Sequence, residues 1–247
     1  MKISIITATY NSEKHIQGVI DAIATQTYKN IEWVVVDGAS KDATVNVIKE
    51  NYTGELNIIS EPDKGIYDAL NKGLSSATGD IIGFLHSDDF FENETVIERI
   101  AAQFQLTNCD GVYGDLRYVN AEDTQKIVRY WQSKPFHMSL LKKGWMPAHP
   151  TLFLKKEVYQ KHGNFDTSFK ISADYDFMLR ILKDTTLNFA YLPQVITNMR
   201  VGGASNALGN IQQKMKEDLK ALRQNQVYTP YITLFRKNAS KITQFFK

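Results

Sequence analysis

Two adjacent carboxylates, Asp88 and Asp89, follow an apolar run, Asp80 to Leu85, with only His86 and Ser87 between. In α/β proteins ligands bind beyond the carboxyl ends of the strands, so paired acids just past a buried strand stand where a ligand would lie. Two carboxylates there repel an anionic ligand unless a hard divalent cation lies between them. Mg²⁺ or Mn²⁺, with oxygen ligands and substrate phosphates, fits that need. The competing reading is a helix cap, in which Ser87 or Asp88 accepts from the first amides of a following helix. A second pair, Asp174 and Asp176, opens a later helical pattern. Either is a candidate proton acceptor, and either also suits a helix N-terminus, where an acid contributes about 0.3–1 kcal/mol.

These acids need a scaffold, and the chain is long enough to supply one. It has 247 residues, 43% of them hydrophobic, so it can bury a full core as one large or two small domains. A net charge of +2 gives no reason to expect a nucleic-acid partner. The single cysteine, Cys109, excludes an internal disulfide and a thiolate zinc cluster within one chain. No apolar run reaches bilayer length, and Met1 to Thr7 reads as a strand rather than a signal peptide, so a cytoplasmic protein is expected.

Strand and helix patterns alternate through the first half. Strands are expected at Ile3–Ala8, Ile31–Val36, Leu56–Ile59 and Asp80–Leu85. Helical spacing joins Ile16, Val19, Ile20 and Ile23, then Val45 and Ile48, then Ile66, Leu70, Gly73, Leu74 and Ala77, with Gly79 closing the third helix. This order predicts a parallel sheet covered on both faces. Polar residues collect where the strands end: Thr7 and Tyr10, Asp37, Glu61 and Asp63, then Asp88 and Asp89. Scattered surface acids would not choose one edge. Neither G-x-G-x-x-G after the first strand nor a P-loop is present, which argues against a dinucleotide dehydrogenase or P-loop enzyme. The second half is less regular. Gly111–Val119, Ile127–Trp131 and Thr151–Leu154 read as strands, Pro147–Pro150 as a rigid loop, Gly163–Asp166 as a turn and Arg200–Ser205 as a loop.

Several ordered segments together resemble the family 2 glycosyltransferases, which have the GT-A fold. They are Ser4 to Asn11, Val35 to Ser40, Ser60 to Gly73, Ala77 to Asp80 leading into Ser87-Asp88-Asp89, then His149, and Ser172 to Asp176. The resemblance runs from about Met1 to about Ser205 and is greatest to the bacterial polysaccharide branch, near the colanic acid glycosyltransferases. It implies a Rossmann-like, mostly parallel sheet with helices on both faces. Residues 1–110 would bind a nucleotide sugar and residues 111–209 an acceptor. It further implies a divalent metal and inversion at the anomeric carbon. Asp89 matches the metal position, Asp88 the ribose and phosphate contact, and Asp174 the catalytic base, leaving Asp176 structural. Thr7, Ala8 and Tyr10 fall in the nucleobase loop. Many members carry a second acid after the one at Asp37 that reads uracil; Gly38 stands there, so a UDP-sugar is the first donor expectation with GDP and dTDP open. His86 replaces the first acid of the longer family motif. Many members have a histidine after the base helix; this chain has Arg200 there, a candidate to neutralise diphosphate.

The remaining candidates come from position. Asp37 suits a nucleoside contact or a strand-end turn. Asp63 and Lys64 are expected near nucleoside and phosphate, and Asp68 faces either site or solvent. His149 would line an acceptor pocket, and Trp145 would stack on a sugar or fill core. From Asn210 to Lys247 basic and apolar residues alternate. That pattern predicts a basic amphipathic helical extension lying on an anionic membrane, on the domain, or on a second subunit as a homodimer. The expectation is a metal-dependent inverting glycosyltransferase of surface polysaccharide assembly, acting on a glycan or lipid-linked acceptor. The rivals are a nucleotidyltransferase and an inactive nucleotide- or carbohydrate-binding module.

Overall fold

A computed structural model describes residues 1–202, 211–240 and 244. Residues 203–205 of the expected 200–205 loop, and residues 210, 241–243 and 245–247 of the extension, lie outside the described residues. β-Branched runs buried on both faces form β1 (Ile3–Thr9) and β2 (Ile31–Asp37). Ile3 and Ile5 face one core with Trp33 and Val35, while Ile6 and Val34 face the other. β3 (Glu55–Ser60) and β4 (Ile81–Phe84) complete a parallel set in the order β3-β2-β1-β4. Thr9 pairs with Asp37 and Asp37 with Ser60, so these strands end level.

The helices α1 (Ile16–Ala24), α2 (Thr44–Asn51) and α4 (Val96–Thr107) bury their apolar faces on one side of the sheet. On the other side lie α3 (Ile66–Ser76), α5 (Lys156–His162) and α6 (Ala173–Leu182). The GT-A architecture expected from the resemblance is the one found. Beyond β4 the sheet turns mixed, through β8 (Phe153–Lys155), β6 (Gly111–Val119), β9 (Phe189–Arg200) and β5 (Phe90–Phe91), with β7 (Ile127–Trp131) pairing β6. The β4–β8 and β8–β6 pairs are antiparallel, and β6–β9 is parallel.

Some boundaries need correction. The 12-residue β9 has no counterpart among the strands expected from sequence, because its aromatic and polar residues lack clean alternation. α4 and α5 went unmarked. Gly79 does not end α3: the helix closes at Ala77, and a Cβ on Gly79 would stand 2.6 Å from Ser4 Oγ. That glycine serves a close approach of loop to strand.

The extension is also not set apart from the domain where it is described. α7 (Ile211–Gln224) and α8 (Pro230–Ser240) pack back on it, and Ala221, Leu222 and Leu234 join the same core as α6.

Candidate active site

A cavity of about 490 Å³ opens beyond the carboxyl ends of β1 and β4. Ala8, Tyr67, His86, Asp88, His149 and Asp174 line it, with the Tyr67 hydroxyl 3.2 Å from Asp174 Oδ1. Segments far apart in the chain meet here, and each is aimed by its own local chemistry.

The acid loop after β4 is set by backbone bonds: the Asp89 amide donates to the His86 carbonyl at 3.1 Å. This turn sends Asp88 to the cavity wall and Asp89 inward. Asp89 is fully buried, and both its oxygens lack a hydrogen-bond partner among the described residues. Burial, with the Asp88 carboxylate adding to it, pushes the Asp89 pKa well up, and Arg200 offsets only part. An orphaned buried carboxylate beside a half-buried one is a donor set a cation would satisfy. Among the described residues no group of three or more His, Cys, Asp or Glu is arranged to hold a metal. That still fits a hard cation of the Mg²⁺ kind, which takes one or two carboxylates plus substrate phosphate.

Asp174 is the second residue of α6 and lines the cavity. The Tyr67 hydroxyl donates to the Ile171 carbonyl at 2.7 Å and lies 3.2 Å from Asp174 Oδ1. Burial holds the Tyr67 pKa well above its ordinary value, so the hydroxyl keeps its proton. The N-cap of α6, Ser172, makes no capping bond of its own. Its hydroxyl donates to Asp218 at 2.8 Å, while Glu217 accepts from the amides of Lys170, Ile171 and Ser172 at 2.8–3.2 Å. Two acids of α7 thus satisfy the donors ahead of the helix that carries Asp174. Asp176 is turned away from the cavity into bonds with Arg180 at 3.0 Å and Asn225 at 2.7 Å. The split between the two acids, open on sequence pattern alone, is consistent with these partners.

His86 and His149 face each other with ring centroids 6.3 Å apart. His86 Nδ1 and His149 Nε2 are buried without partners among the described residues. Burial lowers both pKa values, that of His149 to about 4, so both rings are neutral at pH 7.

Other predicted residues fall elsewhere. Thr7 is buried, donating to the Leu85 carbonyl at 2.7 Å and accepting from Trp33 Nε1 at 2.9 Å. It ties strands together and does not reach a ligand, because it shares the inward face of Ile3 and Ile5. Tyr10 stands exposed at the rim. Asp37 is fully buried and holds its turn through Ser40 and through Ser60 Oγ at 2.7 Å. Asn11 and Ala39 sit in left-handed conformation at these neighbouring strand exits, with φ of 49° and 63°. Asp63 Oδ2 stands 2.6 Å from where a Cβ on Gly38 would be, so a side chain at position 38 would displace the Asp63 carboxylate. Lys64 is exposed, and its amide donates to Asp68 at 3.0 Å. Asp68 lines a separate outer groove with Glu61 and Lys72, outside the main cavity.

Arg200 does not line the cavity: its guanidinium donates to the Asp88 carbonyl and stacks 5.0 Å over Phe90. It props the acid loop from behind. Trp145 packs on Tyr113 and Phe136 instead of the cavity, where Trp131 takes the place of an aromatic wall. Tyr67, Trp131, Arg129 and the α7–α8 residues Lys214 and Lys237 were missed as site residues. Tyr67 carried a signal, lying inside a matched motif, but its apolar helical spacing read as core. The others lie on strands and helices whose fold-back leaves no local mark.

Residues 4–163 match Glycosyl transferase family 2, and the chain belongs to that family: it is a glycosyltransferase. A PGL/p-HBAD biosynthesis glycosyltransferase of Mycobacterium bovis is 30% identical over 224 residues, covering 89% of this chain and 83% of that one. An uncharacterized glycosyltransferase of Haemophilus influenzae is 29% identical over 192 residues, 74% of this chain and 62% of that one. Among solved structures, S. aureus TarS 1–349 in complex with UDP-GlcNAc superimposes with a TM-score of 0.72 at 18% identity, over all of this chain and 75% of that one. The chain spans 44% of the longer TarS structure. The mannosyltransferase PcManGT from Pyrobaculum calidifontis, in complex with GDP-Man and Mn²⁺, gives 0.69 at 20% identity, over 96% of this chain and 68% of that one. At such identities the structural likeness speaks for the fold.

Proposed function

We propose that this glycosyltransferase moves a sugar from a nucleotide-sugar donor to a hydroxyl of a glycan or lipid-linked acceptor, with inversion and with Mg²⁺ or Mn²⁺. The observation that carries this is that Asp174 and Asp88 line one cavity. A base and an anion-binding pole then share a space that holds donor sugar and acceptor. The neighbours crystallised with UDP-GlcNAc and with GDP-Man and Mn²⁺ support the donor class and the metal. We take a UDP-sugar as the donor.

Asp174 accepts the proton of the attacking hydroxyl as the new bond forms to the anomeric carbon. The bond from that carbon to the diphosphate oxygen breaks on the opposite face, and the nucleoside diphosphate leaves with its electron pair. An α-linked donor therefore yields a β-glycoside. A positioned base contributes about 10²–10⁴-fold. Tyr67 orients the carboxylate through its hydroxyl. A cation held at Asp88 and Asp89 would supply Lewis-acid stabilisation to the leaving diphosphate. Asp88 is its approach from the cavity, and Asp89, matched by resemblance to the metal position, lies directly behind. His149 and Trp131 bound the space left for the acceptor.

We place the enzyme in bacterial surface polysaccharide assembly, at the inner face of the membrane. Its resemblance to that branch of the family supports this setting, and no described helix is long and apolar enough to cross a bilayer. The test is a screen of nucleotide sugars with Mn²⁺ for release of nucleoside diphosphate. Release is expected from one or a few donors, lost with chelator, and reduced about 10²-fold or more by Asp174→Asn at unchanged donor affinity. Full activity in Asp174→Asn would overturn the assignment of the base.

A further inference from the structure

α8 is built inside out for a helix packed on a domain. Its inward side carries Thr233, Leu234 and the charged Lys237, all buried. Its outward side carries Tyr231, Ile232 and Phe235, which are 63%, 50% and 74% exposed. Tyr228, just ahead of the helix, is 82% exposed. Packed helices bury their apolar stripe, and an apolar patch left outward marks a surface that something covers.

The charge around the patch has one sign. From Leu219 to Ser240 the sequence holds no acid; of its four cations Lys237 is buried against Asp218 on the inner side, which leaves Lys220, Arg223 and Arg236 around the patch. Arg223 and Arg236 are exposed beside the aromatic residues, and the Arg223 guanidinium lies 5.2 Å over the Tyr231 ring. α8 also rests on the 3₁₀ turn Met138–Lys143, where Thr233 Oγ1 donates to the Lys142 carbonyl at 3.4 Å. That turn adds exposed Lys142 and Lys143 to the same region. Aromatic rings and aliphatic side chains ringed by Arg and Lys match the boundary of an anionic bilayer, where the rings enter the headgroup layer and the cations meet lipid phosphates.

We propose that the outward face of α8, with Tyr228 and the lysines of the 3₁₀ turn, docks this protein on an anionic lipid surface. The inference deepens the membrane setting proposed above and rests on it for the lipid-linked acceptor alone; the docking is read from the helix itself. Lys237, on the inner side of α8, lines the active-site cavity. A bilayer against the outer side then lies one helix diameter, about 10–12 Å, from that wall. A lipid-borne acceptor is thereby held close to Asp174.

The test uses the full chain with vesicles of phosphatidylcholine alone or mixed with phosphatidylglycerol, sedimented at low and high salt. The protein is expected to pellet with the mixed vesicles, weakly with the neutral ones, and less as salt rises. The double variant Tyr231→Ser, Phe235→Ser changes exposed side chains and keeps the fold, so its partitioning should fall about tenfold or more. Arg236→Glu should weaken it as well. Nucleotide-sugar hydrolysis in solution should match wild type in both. A wild-type protein that ignores mixed vesicles, or a double variant that pellets like wild type, overturns the proposal. So does a wild-type dimer that the double variant turns into a monomer without any vesicle binding, which makes the face a contact between two copies. Vesicle binding in a protein that releases diphosphate from no nucleotide sugar leaves the docking standing and sinks the proposed donor chemistry.

Discussion

The Tyr67 hydroxyl lies 3.2 Å from Asp174 Oδ1 and gives a 2.7 Å hydrogen bond to the carbonyl of Ile171, three residues earlier. One side chain from the first half of the chain thus holds both the loop and the carboxylate of the second half. Tyr67→Phe removes only the oxygen. It should cost about 1–3 kcal/mol of stability, because a partly buried carbonyl loses its donor. Transfer should fall about tenfold with donor affinity unchanged, since the base loses its orientation and not its charge. Urea denaturation and steady-state kinetics on the same preparation check this, and a change in donor affinity alone counts against it.

Asp176 is buried and bonded to Arg180 and Asn225. Asp176→Asn should therefore act on the fold, lowering stability by about 1.5–3 kcal/mol. Asp174→Asn should leave the melting temperature near wild type and lower transfer about 10²-fold or more. If Asp176→Asn is the more damaging change for kcat at temperatures where both variants are folded, the base has been misassigned.

The acid pair after β4 divides by burial. Asp88→Asn should weaken Mn²⁺-dependent binding of nucleoside diphosphate with little effect on the metal-free fold. Asp89→Asn should weaken it too, while raising metal-free stability by about 1–3 kcal/mol, because an unpartnered buried carboxylate is replaced by a neutral amide. Calorimetry with and without Mn²⁺, paired with thermal melts in chelator, measures both. Unchanged diphosphate affinity in both variants rules out this cation site.

Glu217 accepts from three successive amides ahead of α6. Glu217→Ala strands these donors and should cost about 1.5–3 kcal/mol. Because Asp174 rides on the second residue of that helix, kcat should drop while the donor dissociation constant holds. Glu217→Gln, which keeps an acceptor oxygen, should recover part of both losses. A melt and a donor titration separate these outcomes.

Stability should fall in mild acid. Burial lowers the His149 pKa from 6.5 to about 4, and the His86 pKa moves the same way. Between about pH 6.5 and 4 the unfolded chain takes up protons that the folded chain refuses, so unfolding is favoured as pH drops through that window. At pH 5 the loss from His149 alone should be about 1–2 kcal/mol. Denaturation midpoints at pH 7 and pH 5 measure it, and His149→Gln should show the shallower dependence.

The sequence by itself determined the scaffold and its edge. Alternating apolar runs from Ile3 to Phe84 specify strands and helices through local periodicity, which a linear reading captures. The acids at Asp37, Asp63, Asp88 and Asp89 mark strand ends for the same reason. Direction within that edge was decided by the tertiary structure. Thr7 and Asp89 lie one residue from the cavity-lining Ala8 and Asp88 yet point inward, because side-chain alternation and a single loop bond set where each aims. Trp145 packs on Phe136 and Tyr113, while Trp131 at the end of β7 is left at the cavity, a choice between two aromatic rings that only packing makes. Above all, Glu217, Asp218 and Lys237 read as charges on an amphipathic extension. They become buried partners of the base helix only because α7 and α8 fold back onto α6, through contacts between residues some 45–60 positions apart that no local pattern encodes.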